Sequence, residues 1–576
     1  MVIFDGERIC VQLNRMNWKD IVELAEQSQY SEYLSDVGIY CLPPTKKIAR
    51  KLKELNCTLD CSMDIFFKEN KKITVEELSN DYDFHSVDDK DELFEFQKEG
   101  VRKMLNMDSN ILLADSMGLG KTPQGSMYLR YKENSLPAII ICPASLKLNW
   151  QKEIKHWAGL KSYVINGKTP EYLSEEFLKK YPVWIINYDI LGSEDKDEKL
   201  EEQKRKEYCK ENDLKYRKKT LKVYGWCDTI IEKNFNTIIC DEAQALGEST
   251  TIRTRAVSQI CEELPKSKKI MISGTPYETR TSQFYSLLHI IDPEEFNNEW
   301  KYKYRYCDPV KTFFGWKFDG LSNAEELHNK ISKFMIRRLK EDVLKDLPPK
   351  IRSVIPLQIT ENERKIYIET DKELEDAIVN KETNVLSKMA KLKQVAFQVK
   401  KNSAIQFIKD YIENVGKLVV FIWHIESYNI LMKEFEKIAV GINGSVSIQD
   451  RNKAVEEFQN NPKIKLFVGQ IKSAGTGLTL TASSCTVFLE FGMTAPQHLQ
   501  AEDRVHRIGQ EADSVLAQYL ILEDSIEQDC MNTLNKRAKH LEAVLDGKYD
   551  SQDMFKIEDD MSEDIIKEYK RRKMIK

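Results

Sequence analysis

Short runs of apolar, largely β-branched residues alternate along this chain with longer stretches in which charged and apolar positions mix. The runs ILLAD from Ile111, AIIICP from Ala138, VWIINY from Val183, TIICD from Thr237 and KIMISGTP from Lys269 are apolar at successive positions, the pattern of strands covered on both faces. Between them lie helical patterns such as KLNWQKEIKHW from Lys147. Strand and helix in alternation predict βαβ crossovers and a parallel, doubly wound sheet. A second series, KLVVFIWH from Lys417, IKLFVGQ from Ile464, TVFLEF from Thr486 and AQYLIL from Ala517, repeats the arrangement. The expected fold is α/β, with two parallel-sheet lobes.

The remaining segments set the boundaries. Residues 1–88 carry their own apolar pattern and turn signals and are read as a small accessory module. The first lobe is expected over 89–296 and the second over 404–546. Between them, 297–403 reads as a charged helical insertion and hinge, broken by LPPK at 347–350. The tail, 547–576, is acidic and then basic and is expected to fray. Inside the first lobe, Gly192 to Lys222 is a mixed-sign charge run with almost no apolar stripe. It predicts a solvated helical insertion whose basic end could touch nucleic acid.

Composition narrows the class. The chain has 576 residues, 41% hydrophobic and 31% charged, so it fits several globular units rather than a disordered chain. No apolar run nears the roughly 20 residues that cross a bilayer, and the first residues lack the basic-then-apolar order of a secretion signal. A cytoplasmic home in a bacterial or viral host cell is expected, nuclear if the source is eukaryotic. Most of the 12 cysteines lie in apolar runs, where reduced thiols act as small hydrophobes. Cys57 and Cys61 lack a second ligand pair, and no metal is predicted there. The net charge of −5 excludes a polycation, so any nucleic-acid contact must be a local groove.

The candidate chemistry begins at ADSMGLGKTPQ, Ala114 to Gln124. A loop leaving a buried strand and opening a helix aims backbone N–H groups and the positive helix end at phosphate oxygens. Gly118 and Gly120 let the backbone approach, Lys121 reaches the β- and γ-phosphates, and Thr122 offers a hydroxyl to Mg²⁺. Asp115 stands where the generic pattern has its first glycine. The strand TIIC runs into DEAQ, where Asp241 is placed to hold Mg²⁺ and Glu242 to act as base toward water. Gln97 follows Phe94 and Phe96, and its carboxamide matches adenine at two points, which favours ATP. In QAEDRVHRIGQ, Arg504 and Arg507 are three apart and are expected to share one helix face and project toward a nucleotide held by the other lobe. The competing reading is a surface helix laced by Glu502 and Asp503.

Taken in order, Gln97, DSMGLGKT, ICPASLKLNW, DEAQ, SGTP, RRLKEDVLKDLPPK, GQIKSAGTGLTLTAS and QAEDRVHRIGQ resemble the motif series of the Swi/Snf-type ATPases, a branch of helicase superfamily two. ISGTPYETRTSQFYSLLHIIDPEEF, FFGWKFDGLSNAEEL and GTGLTLTA look most similar to its annealing-helicase, HARP-like, subgroup. An acidic residue in the place of Asp115 is usual in that family. Gln244 stands where the family usually has His. The resemblance implies two RecA-like lobes that close on ATP and grip duplex DNA across the opposite face. It places nucleotide contacts at Phe94, Gln97, Met117, Gly118, Leu119, Gly120, Lys121, Thr122, Gly475 and Gly477. It places phosphate-backbone contacts at Ser145, Lys147, Lys472 and Ser473, and coupling at Gln244, Ser273, Gly274, Thr275 and Gln500.

These readings predict a DNA-dependent ATPase that translocates on double-stranded or forked DNA and remodels DNA or DNA–protein complexes. Its expected cofactors are ATP and Mg²⁺, its partners DNA and replication or repair proteins, and its state a monomer away from membranes. The alternatives are a strand-separating helicase and a non-hydrolysing DNA-binding scaffold.

Overall fold

The computed structural model describes residues 82–212, 214, 221–277, 279–312, 315–318, 320–380, 382–474, 478–492, 494–547 and 573, with short pieces of the first 80 residues. Cys57, Cys61, Gly475, Gly477 and the tail beyond Gly547, save Lys573, fall outside them. The chain divides into Met1–Ser79 and Asn80–Lys576. In the first unit an antiparallel sheet runs in the order Val2–Phe4, Ile9–Gln12, Ile39–Leu42, Glu32–Leu34. Ile9, Val11 and Leu42 are buried there.

The second unit holds two parallel sheets. The first has seven strands in the order Met335–Ile336, Ile111–Leu113, Lys268–Ile272, Thr237–Asp241, Ala138–Cys142, Val183–Asn187, Ser162–Val164. Period-two alternation splits its continuous apolar runs between two cores. Ile139, Ile141, Trp184, Ile186 and Ile238 enter one, while Ile140, Ile185, Ile239, Ile270 and Ile272 enter the other. The second sheet has six strands, in the order Lys350–Pro356, Val515–Ile521, Cys485–Phe488, Leu418–Ile422, Leu466–Gln470, Ala439–Ile442. Leu418, Val420 and Ile422 face one side of it, and Val419 and Phe421 the other.

Three boundaries move. Residues 82–88 belong with the first lobe rather than with an N-terminal module, because Phe84 is buried in that lobe's core and its carbonyl accepts from Leu93 N at 3.1 Å. The segment 297–403 is not a separate insertion. Tyr302, Tyr306, Leu327 and Ile331 lie in the first lobe's core, and Met335–Ile336 pairs with Ile111–Leu113. Lys350–Pro356 is already the edge strand of the second sheet. A two-residue strand and a largely solvated edge strand leave no continuous apolar run. Finally, the helix Ile526–Asp546 starts in the second lobe, where Ile526, Cys530 and Leu534 are buried. It ends in the first, where Leu541, Val544 and Leu545 join the core. The lobes are thus joined twice.

The charge run at 192–222 contributes a helix, Lys196–Glu211, with no buried residue, as its polarity predicts. Among the described residues no helix is long and apolar enough to cross a membrane.

Candidate active site

Ligands of parallel α/β sheets sit outside the carboxyl ends of the strands, and five neighbouring strands of the first sheet end in motif residues. The strand Ile111–Leu113 feeds a loop that opens the helix Lys121–Tyr131. Gly118 and Gly120 have φ of 79° and 68°, a region open to glycine at little cost. A side chain on Gly120 would collide with Gln97 Nε2, and a Cβ on Gly118 would lie 3.3 Å from Lys340 Nζ and 3.7 Å from Arg507 Cγ. The loop is therefore enclosed from both lobes. Lys121 Nζ donates to the carbonyls of Asp115 (2.8 Å) and Ser116 (3.2 Å). Burial depresses its pKa, against the charges of Glu242, Asp115 and Asp241. One of its three donors is left for an anion.

Gln97 is buried. Its Oε1 accepts from Phe94 N at 2.9 Å and its Nε2 donates to Leu119 O at 3.0 Å, fastening the helix Glu95–Asn106 to the phosphate loop. Phe94 stacks on Phe96 with centroids 5.8 Å apart and stays half exposed. Met117 packs across the loop, 3.0 Å from the position of a Cβ on Gly274.

Asp115 is fully buried, and both of its carboxylate oxygens are engaged. Its Oδ1 accepts from Arg338 Nε at 2.9 Å, and its Oδ2 accepts from Arg338 Nη2 and, at 3.0 Å, from Gln124 Nε2. Arg338 Nη2 also reaches Gln124 Oε1 at 2.7 Å. Gly100 makes the room, since any side chain there would meet Gln124 and Arg338. The neighbouring Arg337 donates from Nη1 to Ala114 O (2.7 Å) and Gly274 O (3.1 Å), and from Nε and Nη2 to Asp546 (2.6 and 3.1 Å). It ties the phosphate loop, the SGTP loop and the crossing helix together.

Asp241 ends its strand buried. Trp150 Nε1 donates to its Oδ2 at 2.8 Å, Glu242 N to its Oδ1 at 2.9 Å, and Tyr188 OH to its carbonyl at 2.8 Å. Burial, reinforced by the charge of Glu242, pushes the Asp241 carboxyl up to about 7. Glu242 has φ +50°, a strained setting for a residue with a side chain. Gln244 Nε2 donates to Glu242 Oε2 at 2.7 Å, Ser273 Oγ to Gln244 Oε1 at 2.6 Å, and Thr275 N to Ser273 Oγ at 3.1 Å. A Gln at 244 can therefore bridge both sides, donating with its amide nitrogen and accepting with its oxygen. Thr122 lies in the first turn of its helix.

In the second lobe the helix Ala495–Glu502 stops short of both arginines, so they do not share a helix face as expected. Beyond it the chain tightens, with Arg504 N donating to Ala501 O at 3.1 Å and Lys340 Nζ holding His506 O at 2.7 Å. The arginines still converge: Arg504 Nη1 and Arg507 Nη1 both donate to Leu478 O, at 3.4 and 3.1 Å. Burial, then the like charge of Arg507, lowers the Arg504 pKa to about 10, and the first-lobe carboxylate of Glu242 acts against that. Gln500 is buried in the preceding helix.

Nor do Glu502 and Asp503 form a surface ladder. Glu502 is 1% exposed and binds Arg352 through Nε (2.8 Å) and Nη2 (2.8 Å), Lys350 (2.9 Å) and Tyr519 OH (2.8 Å). Asp503 pairs with Lys340 at 3.0 Å and Lys350 at 3.2 Å. Burial alone would raise the Glu502 carboxyl, but Lys350 and then Arg352 hold it near 2, against 4.5 unperturbed. A depressed pKa gives stability above the unfolded value that is lost as pH falls through the folded one. Glu502→Gln is thus expected to be less stable than the parent by a constant margin above pH of about 5, the margin closing toward pH of about 2. Urea melts of both proteins across that range measure it.

The backbone-contact candidates differ in their settings. Ser145 and Lys472 are exposed. Lys147 Nζ is held by Ile165 O and Asn166 Oδ1, both at 2.9 Å. Ser473 Oγ donates to Gln470 Oε1 at 3.4 Å. Residues that sequence reasoning left without a role are Trp150, Tyr188, Arg337, Arg338, Lys340 and Asp546. All but Tyr188 and Asp546 lie within motifs already quoted, but their partners are distant in sequence.

The SNF2-related domain matches residues 96–406, and the helicase conserved C-terminal domain matches 400–509. The DNA annealing helicase and endonuclease ZRANB3 of Bos taurus is 29% identical over 472 residues, covering 79% of this chain and 41% of that protein. A SWI/SNF-related matrix-associated actin-dependent regulator of chromatin subfamily A-like protein 1 homolog of Caenorhabditis elegans is 30% identical over 465 residues, covering 77% of this chain and 61% of that one. The chain thus spans less than two thirds of the length of either relative. The Sulfolobus solfataricus SWI2/SNF2 ATPase core in complex with dsDNA is 23% identical, covering 81% of this chain and 95% of that one, with a TM-score of 0.35. With its motifs gathered between two parallel-sheet lobes and the family match running over more than half of its length, the chain belongs to the SNF2 family of helicase-related ATPases.

Proposed function

We propose that this protein hydrolyses ATP between its lobes and uses the cycle to travel along double-stranded DNA, remodelling forks, annealing substrates or DNA–protein complexes. One observation carries the reading: Gly118 of the phosphate loop faces Arg507 and Lys340 across the cleft. A triphosphate seated on the loop is then bounded by cations from both lobes, and its presence is sensed by their separation.

In this reading Lys121 takes the β- and γ-phosphates in exchange for the carbonyls it now holds, and Gln97 and Phe94 receive the adenine. Thr122 and Asp241 would hold Mg²⁺, which neutralises phosphate charge when bound. The residues fit such an ion. They offer hard oxygen donors, and burial with the neighbouring charge of Glu242 raises the Asp241 pKa even with Lys121 acting against it, so a further cation beside the two carboxylates is favoured. Glu242 orients and deprotonates the attacking water, and Arg504 and Arg507 offset the charge of the transferring phosphoryl. The hydrogen-bond chain from Glu242 through Gln244 to Ser273 and Thr275 links that water to the loop beside Gly274. Ser145, Lys147, Lys472 and Ser473 serve as strand contacts that position DNA without reading it. Replication or repair proteins are the partners proposed, in keeping with the annealing-helicase name of the ZRANB3 relatives.

Glu242→Gln is expected to retain ATP binding and lose turnover, because the amide keeps the Gln244 hydrogen bond but cannot take a proton. Lys121→Ala is expected to lose both. Nucleotide binding measured by equilibrium dialysis, beside phosphate release, separates the two; unchanged turnover in either variant rejects the assigned roles.

A further inference from the structure

The stretch WKYKYRY from Trp300 alternates aromatic and basic residues, and the fold divides its rings. On the helix Glu299–Tyr306, positions four apart share a face. Tyr302 and Tyr306 point into the first lobe's core, whereas Trp300 and Tyr304 point out, 60% and 41% exposed. A hairpin follows, Val310–Thr312 against Gly315–Lys317, and it lays Trp316, 44% exposed, against the same rings. Tyr304 lies 5.1 Å from Trp316 and 5.2 Å from Phe318, and Trp300 lies 5.9 Å from Tyr304 and 5.4 Å from Phe318. Lys311 is the cross-strand partner of Trp316, so the two side chains leave the hairpin on the same face.

Lone exposed hydrophobics need no explanation, but contiguous patches do. Between Glu299 and Phe318 the chain carries five basic and two acidic residues, against a net charge of −5 overall. Glu299 pairs with Lys303 at 2.7 Å and Glu326 with Arg305, while Lys301 and Lys311 are exposed. Protein interfaces enrich aromatic residues but deplete Lys. Rings interleaved with lysines instead match strands whose bases stack on side chains while cations follow the phosphates. Duplex DNA hides its base faces, so such a platform needs unpaired ones.

We infer that Trp300, Tyr304 and Trp316, with Lys301 and Lys311, form a second DNA site that stacks unpaired bases of single-stranded DNA and shares no residue with the nucleotide cleft or with the proposed duplex contacts. This rests on the DNA-tracking function proposed above and adds to it a means of holding a strand released at a junction.

The test uses the full chain and a fluorescein-labelled deoxythymidine oligomer of about 20 nucleotides, longer than the usual single-strand site, read by anisotropy beside a blunt duplex of the same length. Trp300→Ala/Trp316→Ala is expected to weaken oligomer binding by roughly 100-fold, since each ring lost costs on the order of 10-fold. Duplex affinity and duplex-stimulated ATP turnover are expected to stay at the parent level, and Trp300→Phe/Trp316→Phe to keep most of the oligomer affinity. Should the alanine pair fail to fold, Lys311→Glu alone is expected to weaken the oligomer selectively. The inference is overturned by parental oligomer affinity in the variants, by an equal loss for oligomer and duplex, or by a parent protein that does not bind the oligomer. A parent whose turnover ignores duplex DNA, yet whose oligomer binding responds to the rings, would reject the tracking function and leave the stacking site standing.

Discussion

Arg507→Ala is expected to lower DNA-stimulated ATP turnover by roughly 10³-fold or more, the scale on which an arginine supplied to a transferring phosphoryl acts. ATP binding, carried by the first lobe, is expected to survive. The expectation follows from where the side chain sits. From the second lobe its Cγ lies 3.7 Å from where a Cβ on Gly118 would stand, and Nη1 is spent on Leu478 O and Thr479 Oγ1. A guanidinium donates through five N–H groups, so hydrogens remain for phosphate oxygens. Arg507→Lys is a stricter control: it keeps charge but loses the planar fork, and is expected to recover only a small part of the rate. Single-turnover phosphate release with prebound ATP reads the chemical step directly, and a variant that binds ATP but turns over at the parental rate would place the charge stabilisation elsewhere.

The second large effect concerns Asp115. Replacing it by the glycine of the generic phosphate-loop pattern is expected to destabilise the protein by about 3–5 kcal/mol, the cost of stranding a buried charge by removing its partner. Arg338 keeps only 10% of its side chain exposed and Asp115 none, and Gln124, also hydrogen-bonded to Asp115, cannot replace a carboxylate. Removing both charges, as Asp115→Ala with Arg338→Met, is expected to recover much of the loss, since a buried pair replaced by apolar groups is often near neutral. Denaturant melts of the three proteins measure this. An Asp115→Gly protein as stable as the parent would mean that the pair does not anchor the loop.

That pairing also shows what the sequence could and could not disclose. Strands such as Ala138–Cys142, Val183–Asn187 and Leu418–Ile422 announce themselves because burial on both faces leaves them apolar throughout but for the terminal Asn187. Ser162–Val164 and Met335–Ile336 are too short, and Lys350–Pro356 is too solvated, to leave that signal. The glycine loop and the acidic strand end were legible because each is a short contiguous motif whose spacing is set within a few residues. The anchors were not. Arg338 lies 223 residues from Asp115, and Trp150 lies 91 residues from Asp241, separations over which spacing carries no information. The spacing of Arg504 and Arg507 did not disclose their geometry, because the expected helix stops at Glu502, where Glu502 and Asp503 pair with Lys350 and Lys340 from distant parts of the chain.

The proposed function requires one coupled site, in which the first lobe holds ATP and contact with duplex DNA sets how the second lobe meets it. Phosphate release from the full chain with Mg²⁺ and ATP, with and without blunt duplex DNA and beside Lys121→Ala, tests this most directly. The prediction is a slow basal rate raised many-fold by duplex and abolished in Lys121→Ala. A rate indifferent to DNA, or undiminished in Lys121→Ala, would contradict it.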